Sequence, residues 1–385
     1  MNDSKTVVVL GGGVGGVTAA ITLRKILPSN HHVVVVDRGS HHLFSPSLLW
    51  LMTGSRSKSK ITRPMERLSR RGIEVIRDEI VEILPETRQV RLGDEQTLDA
   101  DYLVISLGAE LDHEAIPGLA ETGHCFYNLA GAESLRDALA TFDGGRIVVL
   151  TAAPAYKCPA APYEAAMLLK DFCKKRGLGG RTQVDLYAAE PGPMGVTGPE
   201  VSAAVRQMVE DSAIGYHPEH QVSHVDAATR TIVFENGTKV AFDLLAYVPP
   251  HQPPKVVSDT DLVDESGWVP VDRHTMETSD PGVYAVGDVT RIPLSVGKPL
   301  PMAGVFAERQ ATVVAENIAR AITGEGGPAT FEGNGECFIE TGSGKAGFGR
   351  GNFYAEPAPE ITLHQPSRRW HLGKVMFEKN WLRRF

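Results

Sequence analysis

Residues 145–164 read GRIVVLTAAPAYKCPAAPYE, and this stretch decides how the rest of the chain is understood. The run from Arg146 to Leu150 is aliphatic and β-branched, as in a strand buried on both faces. A helix is expected to begin near Pro162, because proline suits a first helical turn. Strand, turn and helix in that order form the frame in which a dinucleotide-binding protein carries its glycine-rich phosphate loop. This turn has no glycine: Thr151, Ala152, Ala153 and Pro154 lead into Tyr156, Lys157, Cys158 and Pro159. Side chains and a proline keep a pyrophosphate away from the backbone. A cysteine stands there instead, beside a lysine and ahead of a helix N-terminus, a setting expected to depress its pKa. The expectation is a thiol site where a nucleotide site would otherwise lie.

The N-terminal stretch keeps what this one lacks. Thr6 to Leu10 reads as a central parallel strand. Gly11, Gly13, Val14, Gly15 and Gly16 follow in a G-x-G-x-x-G pattern, and a helix is expected over Val17 to Leu27. A second apolar run, Val33 to Val36, ends in Asp37, about twenty residues past the last glycine, where a ribose-binding acid belongs. The loop after it carries His41 and His42, which point to opposite sides of an extended segment and are read as surface histidines. A further buried strand over Asp101 to Ala109 closes on Gly108 and Ala109. Near the other end, a short strand delivers Gly287 and Asp288 toward the same cofactor. Ala303 and Gly304 then open a helix from Val305 to Ile322, whose N-terminal dipole favours negative charge.

The second unit spans Gly145 to about Pro270. Its second strand, Val184 to Ala189, ends in Glu190, the position of a ribose acid whose phosphate loop is gone. Thr231–Phe234 and Leu244–Val248 are expected to complete it. The fold class is α/β: two dinucleotide-binding-type domains, the first discontinuous (1–112 and 271–327), the second over 113–270. A C-terminal segment, 328–385, returns hydrophobic strands at 337–340 and 345–348.

Composition bounds the function. The chain has 385 residues, 42% hydrophobic and 22% charged, which is ordinary for a globular protein with several cores. A net charge of −8 argues against general nucleic-acid binding. No apolar run approaches membrane-span length, and because the N-terminal stretch enters a strand directly no cleavable signal peptide is expected. Four cysteines, at 125, 158, 173 and 337, are too scattered for a disulfide framework or a metal centre. Any pair among them is expected to be redox-active. Cys173, among Leu168, Leu169 and Phe172, reads as core.

The tail from Arg368 to Phe385 sets six cationic residues against Glu378 alone. Phe377, Trp381 and Phe385 recur every fourth residue, a helical row that can meet a membrane interface while cations face lipid phosphates. The other reading is a helix docked on its own domain.

With these motifs in place the chain resembles the sulfide:quinone oxidoreductases of the flavin disulfide reductase superfamily. The resemblance rests on Lys157-Cys158-Pro159 with Pro162-Tyr163-Glu164, on Cys337-Phe338, and on Cys125. It implies FAD as cofactor, held by the two glycine motifs, with Asp288 on the ribityl chain. It implies that Cys158 and Cys337 form a redox pair against the flavin, that sulfide attacks it, and that a membrane quinone takes the electrons. Lys157 would help lower the thiol pKa. Glu164 would be the base that takes the sulfide proton, or only a carboxylate favouring its helix dipole. Cys125 would link covalently to the flavin, handle sulfur chains, or be a buried thiol. Phe338 would flank the quinone ring, with Phe377 or Trp381 as second walls. A peripheral, homo-oligomeric membrane protein is expected. The chain departs from the family in lacking histidines at 126–130 and 192–197, which removes any proton relay built on them. Alternatives are a flavocytochrome c-type sulfide dehydrogenase subunit, a type II NADH dehydrogenase, which would keep a second glycine loop, and a non-catalytic flavin sensor.

Overall fold

A computed structural model describes residues 4–385. The β-branched runs form two five-stranded parallel sheets, as buried strands without polar alternation should. The first has the order Val283–Ala285, Tyr102–Ile105, Thr6–Leu10, His32–Val36, Glu74–Ile76. Its outer strand comes from far along the chain, so residues near 285 lie beside the glycine loop. The second has the order His124–Cys125, Leu244–Val248, Gly145–Thr151, Thr182–Ala188, Gly215–His217. Valines and leucines of both sheets are almost wholly buried; the first sheet lies between two cores, one on each face, and the second is buried in a third.

Three boundaries differ from expectation. The Asp101–Ala109 run is strand only over Tyr102–Ile105, after which the chain turns beneath the glycine loop. Thr231–Phe234 is not part of the parallel sheet; it pairs antiparallel with Val222–Asp226 and Lys239–Ala241 in a separate sheet. The C-terminal segment has three antiparallel strands, Asn334–Gly342, Lys345–Asn352 and Glu360–Ser367, the last too polar to stand out in the sequence.

A helix over Arg368–Leu382 ends the fold, capped by Ser367. It docks on the body through an unusual stripe. His371, Lys374, Glu378 and Trp381 follow helical spacing on one face, and each finds an inward partner. Glu378 is 4% exposed, accepts from Ser47 at 2.6 Å and pairs with Arg56 at 2.9 Å. Trp381 is 1% exposed, packs against Phe44, and donates its indole N–H to His42 Nε2 at 2.8 Å. Phe377 and Phe385 also turn inward, onto Phe44 and His42. The aromatic row therefore faces the protein, correcting the expectation that it meets a membrane. Leu372 and Met376 are the large hydrophobic side chains this helix leaves outside, 59% and 62% exposed. Among the described residues no helix is long and apolar enough to cross a membrane.

His42 is a second correction. It is 2% exposed, because its ring bridges the Gly12 carbonyl, at 2.9 Å from Nδ1, and the Trp381 indole. Since Nε2 accepts from the indole, Nδ1 carries the proton. Trp381→Ala should cost about 3–5 kcal/mol of stability by cavity formation, read from urea unfolding; a loss below about 1 kcal/mol would mean the helix is not docked this way.

Candidate functional site

The glycine loop is built for close backbone approach. A Cβ on Gly16 would lie 1.8 Å from the Gly11 carbonyl, so the first helix, Val14–Ile26, is fixed tightly over the strand. At Gly13 a Cβ would meet nothing within 4 Å: the loop faces open space there, and no side chain caps the helix N-terminus. Free first-turn amides beside open backbone fit a pyrophosphate. Asp37 accepts from the Gly12 and Gly39 amides at 2.5 and 2.6 Å, which aims its remaining lone pairs outward. Among the described residues none donates a hydrogen bond to the Asp288 carboxylate, and burial raises its pKa against the pull of Lys157. A half-buried acceptor without a donor fits a polyol chain. Gly108 lies open at φ +71°, with Ala109 after it, and Gly287 donates to Gln310 at 2.8 Å. Ala303 and Gly304 begin the helix Gly304–Thr323, which also has no side-chain cap. The residues present fit a dinucleotide such as FAD.

The second nucleotide position is closed by the protein itself. Glu190, 8% exposed, accepts from Thr151 at 2.8 Å and Tyr163 at 2.7 Å, and from Tyr156 in a short contact. Three hydroxyls thus occupy the carboxylate that would otherwise hold ribose hydroxyls. The tyrosines come from the loop and helix that replace the glycine motif.

Cys158 sits in that loop in a left-handed conformation, φ +50°. For a residue with a Cβ this costs roughly 1–3 kcal/mol and persists only where surroundings enforce it. They do: its N–H donates to Met302 O at 2.7 Å, and its carbonyl accepts from Ala161 N at 2.9 Å and Tyr127 OH at 3.1 Å. Met302 precedes the Gly304 helix, so the cysteine backbone is pinned to the cofactor side of the molecule. Cys337 enters from the C-terminal sheet. Both are half-buried free thiols that pack on the same core, and each sits in the field of Glu164 and Lys374. The thiol of Cys337 also raises that of Cys158, so the two share one electrostatic environment.

A buried ion pair acts on both thiols. Lys374, 5% exposed, reaches Glu164, 2% exposed, at 2.5 Å, and Glu164 also accepts from Glu340 N at 2.9 Å. Burial raises the Glu164 pKa despite Lys374. For Lys374, burial is overcome by Glu164 and Glu340, and the ammonium is held charged.

The thiol pKa values run against the sequence expectation. Cys158 is raised, first by burial and then by Cys337 and Glu164; Cys337 is pushed up to about 12 by burial and Glu164. The cation that opposes this is Lys374, not Lys157. Lys157 instead acts on Asp288, on Cys125 and on His251. Cys125 is 4% exposed in its edge strand, pushed up to about 11 by burial, and lies outside the two-cysteine cluster. Cys173 is fully buried.

Phe338 faces Phe348 at 5.0 Å and Phe377 at 6.4 Å, and Phe348 stacks on Trp370 at 4.5 Å. These half-buried rings form a row beside Leu372 and Met376. Trp381 does not join it: at 1% exposure it has no face left for another ring. Sequence reading missed Lys374, Glu340, His371, Tyr127 and Met302. Isolated polar residues carry no motif, and only long-range folding gives them partners.

Residues 5–311 match the pyridine nucleotide-disulphide oxidoreductase family. The chain is similar to the mitochondrial sulfide:quinone oxidoreductase of Mus musculus, 24% identical, with 94% of this chain and 81% of the relative covered. It is also similar to the sulfide-quinone reductase of Aquifex aeolicus, 28% identical over 98% and 90% of the two chains. The X-ray structure of the sulfide:quinone oxidoreductase from Aquifex aeolicus superposes with a TM-score of 0.88 at 26% identity, covering 98% of this chain and 91% of that one.

The electrostatics give opposite signs for two substitutions. Lys374→Met removes a cation that lowers both thiols, so alkylation of Cys158 and Cys337 by iodoacetamide should shift to higher pH. Glu164→Gln should shift it to lower pH. Profiles that do not move would separate the pair from the sulfurs.

Proposed function

The chain belongs to the pyridine nucleotide-disulphide oxidoreductase family, and from that premise we propose that it oxidises sulfide to sulfane sulfur or polysulfide and passes the electrons to a membrane quinone. What supports this reading is that Cys158 and Cys337 share the field of one buried Glu164–Lys374 pair, at the end of a nucleotide-type loop without glycines. The named relatives are sulfide oxidoreductases using quinone, and the similarity runs over nearly the whole chain.

FAD, when bound, supplies the two-electron carrier between thiols and quinone. The chain holds it by residues 1–112 and 271–327: the amides of Gly13, Val14 and Gly15 at the pyrophosphate, Asp37 at the ribose, Asp288 at the ribityl chain, and Gly108, Ala109, Gly287, Ala303 and Gly304 lining the space. Residues 113–270 present Cys158 and Glu164, and residues 328–385 present Cys337, Lys374 and the quinone face. Glu164 takes the proton from sulfide, since burial strengthens it as a base. Lys374 stabilises the thiolate that leaves when the cysteine pair is opened. Lys157 steadies Asp288 rather than the nucleophile. Cys125, buried beside Lys157, serves as a sulfur-handling or flavin-linking thiol in this reading. Nicotinamide nucleotides are refused because Glu190 already has its donors.

Phe338 and Phe377 form the walls of the quinone site. The protein meets the membrane peripherally through Leu372 and Met376, with Arg368, Arg369, Lys379 and Arg383 around them. This assigns the lipid-facing role to the aliphatic side of the helix.

Anaerobic sulfide should bleach the flavin absorbance of the holoenzyme, and a soluble quinone should restore it. Cys158→Ser and Cys337→Ser should each lower the bleaching rate by roughly a thousandfold or more. NADH should leave the spectrum unchanged; bleaching by NADH alone would sink the reading. Leu372→Asp with Met376→Asp should reduce cosedimentation with anionic liposomes about tenfold, and binding that survives would place the membrane face elsewhere.

A further inference from the structure

The Glu164–Lys374 pair is enclosed, yet a base there needs somewhere to send its proton. Two more titratable groups extend the cluster outward. Glu340, 1% exposed, lies three residues past Cys337 on the same strand, and its carboxylate acts on the Lys374 ammonium. Both of its carboxylate oxygens lie 3.0 Å from His371 Nδ1. His371 is the first member that reaches solvent, with 29% of its side chain exposed.

We propose that Glu340 and His371 conduct protons between the buried Glu164–Lys374 pair and bulk water, making His371 the surface port of the sulfur site. This rests on the sulfide reading above. The histidines absent from 126–130 and 192–197 are thereby not needed: the port comes from the C-terminal helix.

The chemistry requires such a port. Neutral hydrogen sulfide enters an enclosed site more readily than the hydrosulfide anion, because burying an unpaired charge is costly. Glu164 removes one proton as an S–H bond breaks. The resulting hydrosulfide attacks one sulfur of the oxidised Cys158–Cys337 pair. A bond forms between that sulfur and sulfide, the bond between the cysteines breaks, and the second cysteine leaves as thiolate. Hydrogen sulfide and a disulfide thus give a persulfide, a thiolate and one proton, now on Glu164. The proton passes by way of water from Glu164, which accepts from the Glu340 amide at 2.9 Å, to the Glu340 carboxylate, while Lys374 keeps its charge beside both. His371 accepts at Nδ1 from Glu340 and releases from its other nitrogen to water.

The surroundings suit transfer through His371. On its own helix, Lys374 follows one turn later. From the strand comes Glu340, and from the Leu48–Met52 helix comes Trp50, whose ring lies 6.0 Å from the imidazole. Arg56 and Lys374 both lie over that same ring, at 4.5 and 5.2 Å. Glu340 is thus the one acidic partner of His371 among the described residues, and the tryptophan keeps the imidazole turned toward it.

The test uses holoenzyme, mixed anaerobically with sulfide in stopped flow. His371→Gln should slow flavin bleaching about tenfold, and added imidazole should restore the rate. In the same variant, reduced and freed of flavin, the iodoacetamide profile of the two thiols should stay as in wild type, because the pair beside them is untouched. Bleaching at the wild-type rate would overturn the proposal. So would a slowed rate that imidazole does not rescue, or a shifted alkylation profile, either of which marks a merely structural role. If sulfide fails to bleach the wild type, the sulfide reading itself fails; if only the variant misbehaves as just stated, that reading stands and the port alone falls.

Discussion

One buried ammonium pairs with one buried carboxylate, and most of the functional architecture depends on that contact. Lys374 and Glu164 come from elements more than two hundred residues apart and are almost wholly enclosed. Taking both charges out of water is costly, and losing either partner strands the other at a cost of about 3–5 kcal/mol. The C-terminal helix therefore cannot leave without exposing a charge inside the thiol site. Docking of the helix and the setting of the two thiols share a single interaction, so in the proposed reading the tail is part of the active centre.

The same contact settles the character of the sulfurs. A lysine next in sequence and a helix start suggest easily ionised thiols. In the folded chain burial is the largest influence on both, and the nearest carboxylate adds to it. Reactivity then depends on a single distant cation to stabilise a thiolate at the moment it forms. Such a site favours a closed, paired state of the cysteines over two free anions in one small volume.

The parts of the molecule legible in the sequence are those set by local chemistry. Gly11 to Gly16 followed by a helix, the valine-rich strands, Asp37, Gly287 with Asp288, and the missing glycines between 151 and 160 all follow from short-range steric rules. The tail misleads for a specific reason. Its aromatic row looks like a face for lipid, because an apolar stripe is the usual sign of what a helix buries or inserts. The docking stripe is instead His371, Lys374, Glu378 and Trp381, and three of those four look solvent-seeking until Glu340, Glu164 and Arg56 arrive. His42 misleads likewise, because nothing near it in sequence announces an indole 339 positions away.

Glu190 has a consequence for anyone wishing to redesign electron input. Its three hydroxyl donors lie on a strand, a loop and a helix, so they form an interlocked plug rather than one obstructing residue. Grafting glycines into the turn would strip away Tyr156 while leaving Tyr163 and Thr151 in place, and would release the segment that holds Cys158. Conversion to a nicotinamide-driven enzyme would therefore dismantle the sulfur centre before any new substrate could dock. The closed nucleotide position and the cysteine loop thus stand or fall together.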